Sequence, residues 1–123
     1  MQDFNKLSVW RRAHELTLDI YRQTENFPRG EMFGLTSQLR RAGASIAANL
    51  AEESGRTQIE FGRFVQISMG SACEVEYHLL LARDLGYFGP ERYEALAGET
   101  RAIKRMLTAL LKTVRERQTK LRD

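Results

Sequence analysis

A chain of 123 residues with a formal net charge of +3, 42% hydrophobic and 28% charged, has an ordinary globular composition and the length to bury about two-thirds of its unfolded surface in one core. Two prolines and one cysteine exclude collagen-like, proline-rich and disulfide-stapled designs, and a lone Cys73 points to a reducing, cytoplasmic compartment. Met1-Gln2-Asp3-Phe4 opens no charged-then-apolar leader and no apolar run approaches the roughly 18 residues of a membrane span.

The charge is unevenly placed. Residues 89–123 carry nine basic and five acidic side chains, a net of +4, whereas residues 57–88 are net −2. The end of the chain is the electropositive element.

The spacing predicts a first helix over about 9–25, capped by Ser8. Val9, Ala13, Leu16 and Ile20 step at 4, 3 and 4, which sets them on one face. Trp10, His14, Thr17 and Tyr21 repeat those steps one position on. They widen the face beyond a single core stripe, as either packed rings or a self-assembly surface. Phe27-Pro28-Arg29-Gly30 stops this helix. A second helix is expected over about 33–54, closed by Gly55.

Thr57-Gln58-Ile59-Glu60 is a capping-box pattern. It opens a third helix over about 57–85, which Gly86 ends. Pro90 suits the first turn of a fourth helix over about 90–118. No strand-like alternation or hairpin dipeptide occurs. Short loops between helices of this length predict an all-α, antiparallel up-down-up-down four-helix bundle, with residues 1–123 as one domain.

Helix two carries two stripes. Leu35, Leu39, Ala42, Ile46 and Leu50 form the apolar one; Gln38, Arg41, Ser45, Asn49 and Glu52 form a polar one among small residues. Ser68, Gly70, Ser71 and Ala72 offer a matching small patch on helix three. Where the patches meet, each polar group needs a partner. Arg41 with Glu52 or Glu74, and Asn49 with Ser45 or Ser71, are the expected pairs of a polar seam that fixes register. A ligand or RNA site there is the alternative.

Many spaced residues agree with one family. They are Phe4-x-x-Leu7-x-Val9-Trp10-x-x-Ala13, then Phe27-Pro28-x-x-Glu31-x-Phe33-Gly34-Leu35-x-x-Gln38-x-Arg40-Arg41-Ala42, then Ser45-Ile46-x-x-Asn49-x-Ala51-Glu52. Glu60-Phe61-x-Arg63-Phe64, Gly70-Ser71, Glu74, Glu76 and Leu85-Gly86-Tyr87 continue the pattern. Over about residues 4–88 the chain resembles the four-helix-bundle proteins encoded in intervening sequences of bacterial 23S rRNA genes, relatives of the accessory variability determinants of diversity-generating retroelements. Glu53 departs from it, standing where the family usually places Gly. The resemblance implies an up-down bundle assembled as a homopentameric ring, a nucleic-acid-associated role and, for the retroelement relatives, a reverse-transcriptase partner. It implies no catalytic residues.

The residues themselves argue against an enzyme. Neither His14 nor His78 has Glu three positions before it, so the paired Glu-x-x-His of a di-iron bundle is missing. Glu74 and His78, four apart, supply two ligands where a metal site needs more. Gly43-Ala44-Ser45-Ile46-Ala47 lacks the strand and the second Gly of a nucleophile elbow. There is no phosphate loop ending in Gly-Lys-Ser/Thr. Cys73, without a CxxC partner, is expected as a packed thiol. No cofactor, metal, catalytic residue or small-molecule substrate is expected.

Helix four offers a concrete surface. Its core stripe is Leu96, Ile103, Leu107, Leu110 and Val114, while Arg101, Arg105, Thr108, Lys112 and Arg115 follow another line. At about 100° per residue, Ile103 and Arg105 lie about 200° apart, so the basic row points away from the core. Lys104, Arg117, Lys120 and Arg122 extend it, and Arg11 and Arg12 of helix one are candidates to join it. Such a row reads either as a solvated bundle face or as a track for RNA or DNA phosphates, salt-sensitive and indifferent to sequence. A ring of copies favours the second through avidity. No aromatic residue interrupts the row, so backbone contact without base stacking is expected. The expected function is a non-catalytic, homo-oligomeric, pentameric scaffold binding nucleic acid through helix four, with Trp10, His14 and Tyr21 at the oligomer interface. The alternative is a protein-interaction scaffold, for a partner such as a reverse transcriptase, with no direct nucleic-acid binding.

Overall fold

The computed structural model describes the backbone of residues 4–52 and 57–122, and side chains within 6–52 and 57–120. Helix α1 spans Phe4–Gln23, α2 Leu35–Ala51, α3 Gln58–Asp84 and α4 Pro90–Arg122, with a 3-10 turn at Arg29–Glu31.

Side-chain hydrogen bonds fix the helix directions. Thr17 Oγ1 donates to the Gly43 carbonyl at 3.0 Å and Arg40 Nε to Thr24 Oγ1 at 2.9 Å, so α1 and α2 run antiparallel. Ser68 Oγ donates to the Ile46 carbonyl and Ser71 Oγ to Ser45 Oγ, each at 2.8 Å, which opposes α2 and α3. Lys104 Nζ meets Glu76 at 2.8 Å and Gln118 Nε2 the Gln58 carbonyl at 3.1 Å, which opposes α3 and α4. Helix α1 packs on α2 and α4, and α3 packs on the same two. The result is an antiparallel four-helix bundle.

The expected apolar stripes build its core. Val9, Ala13, Leu16 and Ile20 of α1 are buried against Leu35, Leu39, Ala42, Ile46 and Leu50 of α2 and Leu96, Ile103, Leu107, Leu110 and Val114 of α4. Helix α3 contributes Phe61, Val65, Ala72, Val75, Leu79 and Ala82. A helical period of 3.6 residues makes such a stripe legible without any partner in view.

The helix ends follow local chemistry. The Thr57 side chain accepts from the Glu60 amide at 3.1 Å and starts α3. At its end Gly86 takes φ +78, which a side chain would oppose. There the Gly86 amide donates to Arg83 and the Tyr87 amide to Ala82, each at 2.9 Å, a Schellman pair. Pro90 is the first residue of α4.

Several boundaries differ from expectation: α1 ends at Gln23 and not 25, and α2 at Ala51, with Glu52 as its C-cap, and not 54. Ser8 lies inside α1 and does not cap it; the preceding turn is held by packing, with Lys6 Nζ 5.8 Å from the Phe61 ring centroid. Phe33 and Gly34 precede α2, because the Arg29–Glu31 turn carries the chain round first. Helix α4 continues past 118, its last polar turn still bonded by Thr119 Oγ1 to the Arg115 carbonyl. Glu53 and Gly55 lie outside the described residues.

Candidate nucleic-acid interface

The orientation of α4 settles which of its cations face outward. With Ile103, Leu107, Leu110 and Val114 buried, Arg105, Thr108, Lys112 and Arg115 are exposed. At about 1.5 Å per residue, Arg105 and Arg115 stand about 15 Å apart along the helix. Lys112 and Arg115 also border a groove between α3 and α4, about 330 Å³ in volume, floored by Met69 and Leu111 and edged by Glu116.

Charge partners divide the basic row. Arg101 reaches Glu94 at 3.3 Å. Lys104 is half-buried against Glu76, whose hydrogen bond holds the ammonium above the usual lysine range although partial burial opposes this. Arg12 grips Glu99 through Nε at 2.7 Å and Nη2 at 3.0 Å, joining α1 to α4, with Nη1 3.5 Å from the Met106 sulfur. Arg117 is half-buried. Among the described residues of the row and of α1, Arg105, Lys112, Arg115, Lys120 and Arg11 are exposed with no ion pair, and the side chain of Arg122 lies outside the described ones. No spacing in the sequence points to Glu76 and Glu99, because each lies on a different helix from its partner, 28 and 87 residues away. Glu94, two turns before Arg101 on the same helix, was readable from spacing alone.

The seam between α2 and α3 forms in part. Asn49 Nδ2 donates to the Ser45 hydroxyl at 2.9 Å and to its carbonyl at 2.8 Å, and Ser71 completes the cluster. Ser68, Ser71 and Ala72 are buried as the small patch requires, whereas Gly70 is exposed with open space around it. The expected Arg41 pairing does not form. Arg41, Gln38 and Glu74 are exposed and, among the described residues, their side chains make no hydrogen bond or ion pair. They sit on the rim, where water solvates them. Glu52, the C-cap of α2, is exposed as well.

Two further expectations shift. Cys73 is exposed and not packed, because buried Ala72 and Val75 turn it to the solvent side of α3. The second stripe of α1 lies at the surface. Trp10 is half-buried and stacks on exposed His14, with centroids 5.3 Å apart and planes within 6°. Exposed Tyr21, two turns on, lies under the Arg40 guanidinium at 4.7 Å. Among the described residues, no helix is long and apolar enough to cross a membrane.

Comparison with known proteins bears on this geometry. One solved structure, a protein of unknown function from the S23 ribosomal protein family of Bacteroides thetaiotaomicron, is 24% identical with a TM-score of 0.80, over 89% of this chain and 99% of that one. It supports the fold alone. No curated protein matches the sequence. The profile of the 23S rRNA-intervening sequence proteins matches residues 5–109, which takes in nearly all of α1, all of α2 and α3 and more than half of α4; the chain belongs to that family.

Proposed function

We propose that the protein is a non-catalytic, cytoplasmic, homo-oligomeric scaffold, a ring of five copies, that binds RNA or DNA phosphates through the outer face of α4. The observation that carries this reading is the set of exposed cations without carboxylate partners, Arg105, Lys112 and Arg115, along one side of a helix whose other side is core. A phosphate offers such a row the anions that the protein does not supply. Repetition round a ring turns three cations per copy into a multivalent surface. The Trp10–His14 stack and Tyr21 are the proposed ring contacts.

The test is fluorescence anisotropy with structured RNA at low salt. Wild type binds; a variant with Arg101, Arg105, Lys112 and Arg115 each changed to Glu does not. Unchanged binding by that variant, or no binding by wild type, ends the reading.

A second reading is a protein-interaction scaffold for a partner such as a reverse transcriptase, without direct nucleic-acid contact. Phe33 favours it, being 94% exposed beside exposed Met32, an apolar protrusion that water does not stabilise. Nuclease-resistant co-elution with a reverse transcriptase, lost in Phe33→Glu, supports this reading; co-elution that requires RNA supports the first.

A further inference from the structure

Away from the basic row, α2 and α3 part to leave a cleft of about 270 Å³, open along one side. Its α2 wall carries Gln38 and Arg41, its α3 wall Glu74 and His78, and its floor the hydrogen-bonded Ser45–Ser71 pair. Opposite charges therefore line one cleft without meeting: Arg41 and Glu74 form no ion pair. His78 lines the cleft, and its Nδ1, shut off from solvent, has no hydrogen-bond partner; the His78 ring lies 5.8 Å from that of Tyr77, which is 58% exposed.

We propose that this cleft binds an unpaired guanine base of the nucleic acid whose phosphates α4 contacts; the proposal rests on that phosphate-binding reading. Guanine presents two acceptors, O6 and N7, on one edge and two donors, N1–H and the N2 amino group, on the next. An arginine on one wall matches the first edge and a carboxylate on the other matches the second. Adenine offers Glu74 no such pair of donors, and pyrimidines lack the N7 edge. The volume lies just below the roughly 300–1,000 Å³ of sites that enclose a whole small molecule. The open side fits a base that stays attached to its strand. Tyr77, exposed next to His78 on α3, is a stacking surface of the kind α4 lacks.

Two short single-stranded RNAs of equal length and charge, one with a single guanine and one with adenine in its place, test this by anisotropy, with guanosine as a phosphate-free probe followed by NMR of the cleft. The guanine strand is expected to bind about tenfold tighter, the scale of one bidentate base contact. That ratio collapses in Glu74→Gln, an exposed position where folding is not at risk, and in Arg41→Ala. It survives Arg105→Ala/Lys112→Ala/Arg115→Ala, which weakens both strands alike. Equal binding of the two strands by wild type, or a ratio unaltered by Glu74→Gln, overturns the proposal and leaves the phosphate reading standing. If neither strand binds but guanosine shifts cleft resonances in a Glu74-dependent way, the cleft stands and the phosphate reading falls. If neither strand nor guanosine binds, both fall.

Discussion

The Tyr87 hydroxyl donates a 2.6 Å hydrogen bond to Glu31 Oε2, across 56 residues of sequence. The other carboxylate oxygen of Glu31 accepts from the Leu35 amide at 3.2 Å, at the positive end of α2. One side chain thus caps a helix and ties the α1–α2 turn to the α3–α4 loop. The Phe27 ring backs this clasp, 5.3 Å from Tyr87 and 5.5 Å from Phe88.

Tyr87→Phe opens the clasp while keeping the ring contacts. The Tyr87 bond, then the Leu35 amide, hold Glu31 below the usual carboxylate range; Glu31 in turn raises the Tyr87 hydroxyl above its ordinary value. A lowered carboxylate stabilises the fold above its unfolded value, about 4.3, and that contribution is lost as pH falls through the folded one. A raised phenol stabilises below about 10 and loses this as pH rises through its folded value. The melting-temperature deficit of Tyr87→Phe should therefore be flat from about pH 5 to 9 and shrink at either extreme. Melts across that range check it.

Gly34→Ala tests the same clasp from its backbone side. A Cβ there meets Glu31 Oε1 at 2.7 Å. The clash falls on a flexible carboxylate, so the fold survives and the cap is what gives way. Carboxyl-detected NMR should show the Glu31 titration moving up toward the ordinary range, with faster exchange of the Leu35 amide.

Ser68 is buried completely and bonded to the Ile46 carbonyl. Ser68→Ala should cost about 1 kcal/mol, the usual net worth of one hydrogen bond. Ser68→Leu should cost about 1–3 kcal/mol or more, because added bulk forces α2 and α3 apart. Urea titration of the two variants gives the order.

Glu76→Gln releases Lys104 from the carboxylate that holds it at 2.8 Å. The freed ammonium joins the α4 row, so RNA affinity should rise and its salt slope steepen by about 0.7–0.9, one phosphate contact per copy. Anisotropy at several salt concentrations measures both.

The bundle was legible because α1, α2 and α4 write their buried stripes at a fixed period, as Val9 to Ile20 and Ile103 to Val114 do. Helix α3 was legible from its ends, since Thr57 and Gly86 act on their own neighbours. Helix starts set by distant packing were not: nothing local tells Ser8 that Lys6 will lie against Phe61. For the site, periodicity gave the outward direction of Arg105 and Lys112. It could not show that Glu99 and Glu76 occupy Arg12 and Lys104, nor that Arg41 and Glu74 face one cleft unpaired. Those are relationships between helices, fixed by how the bundle closes.

The most direct test of the central claim is the slope of log affinity against log salt for structured RNA, in wild type and in Arg105→Ala/Lys112→Ala/Arg115→Ala. Three phosphate contacts at about 0.7–0.9 each predict a wild-type slope steeper by about 2–3 per bound copy, with the weaker variant nearly salt-independent by comparison. Identical slopes in the two proteins, or no binding by wild type at low salt, would contradict the account.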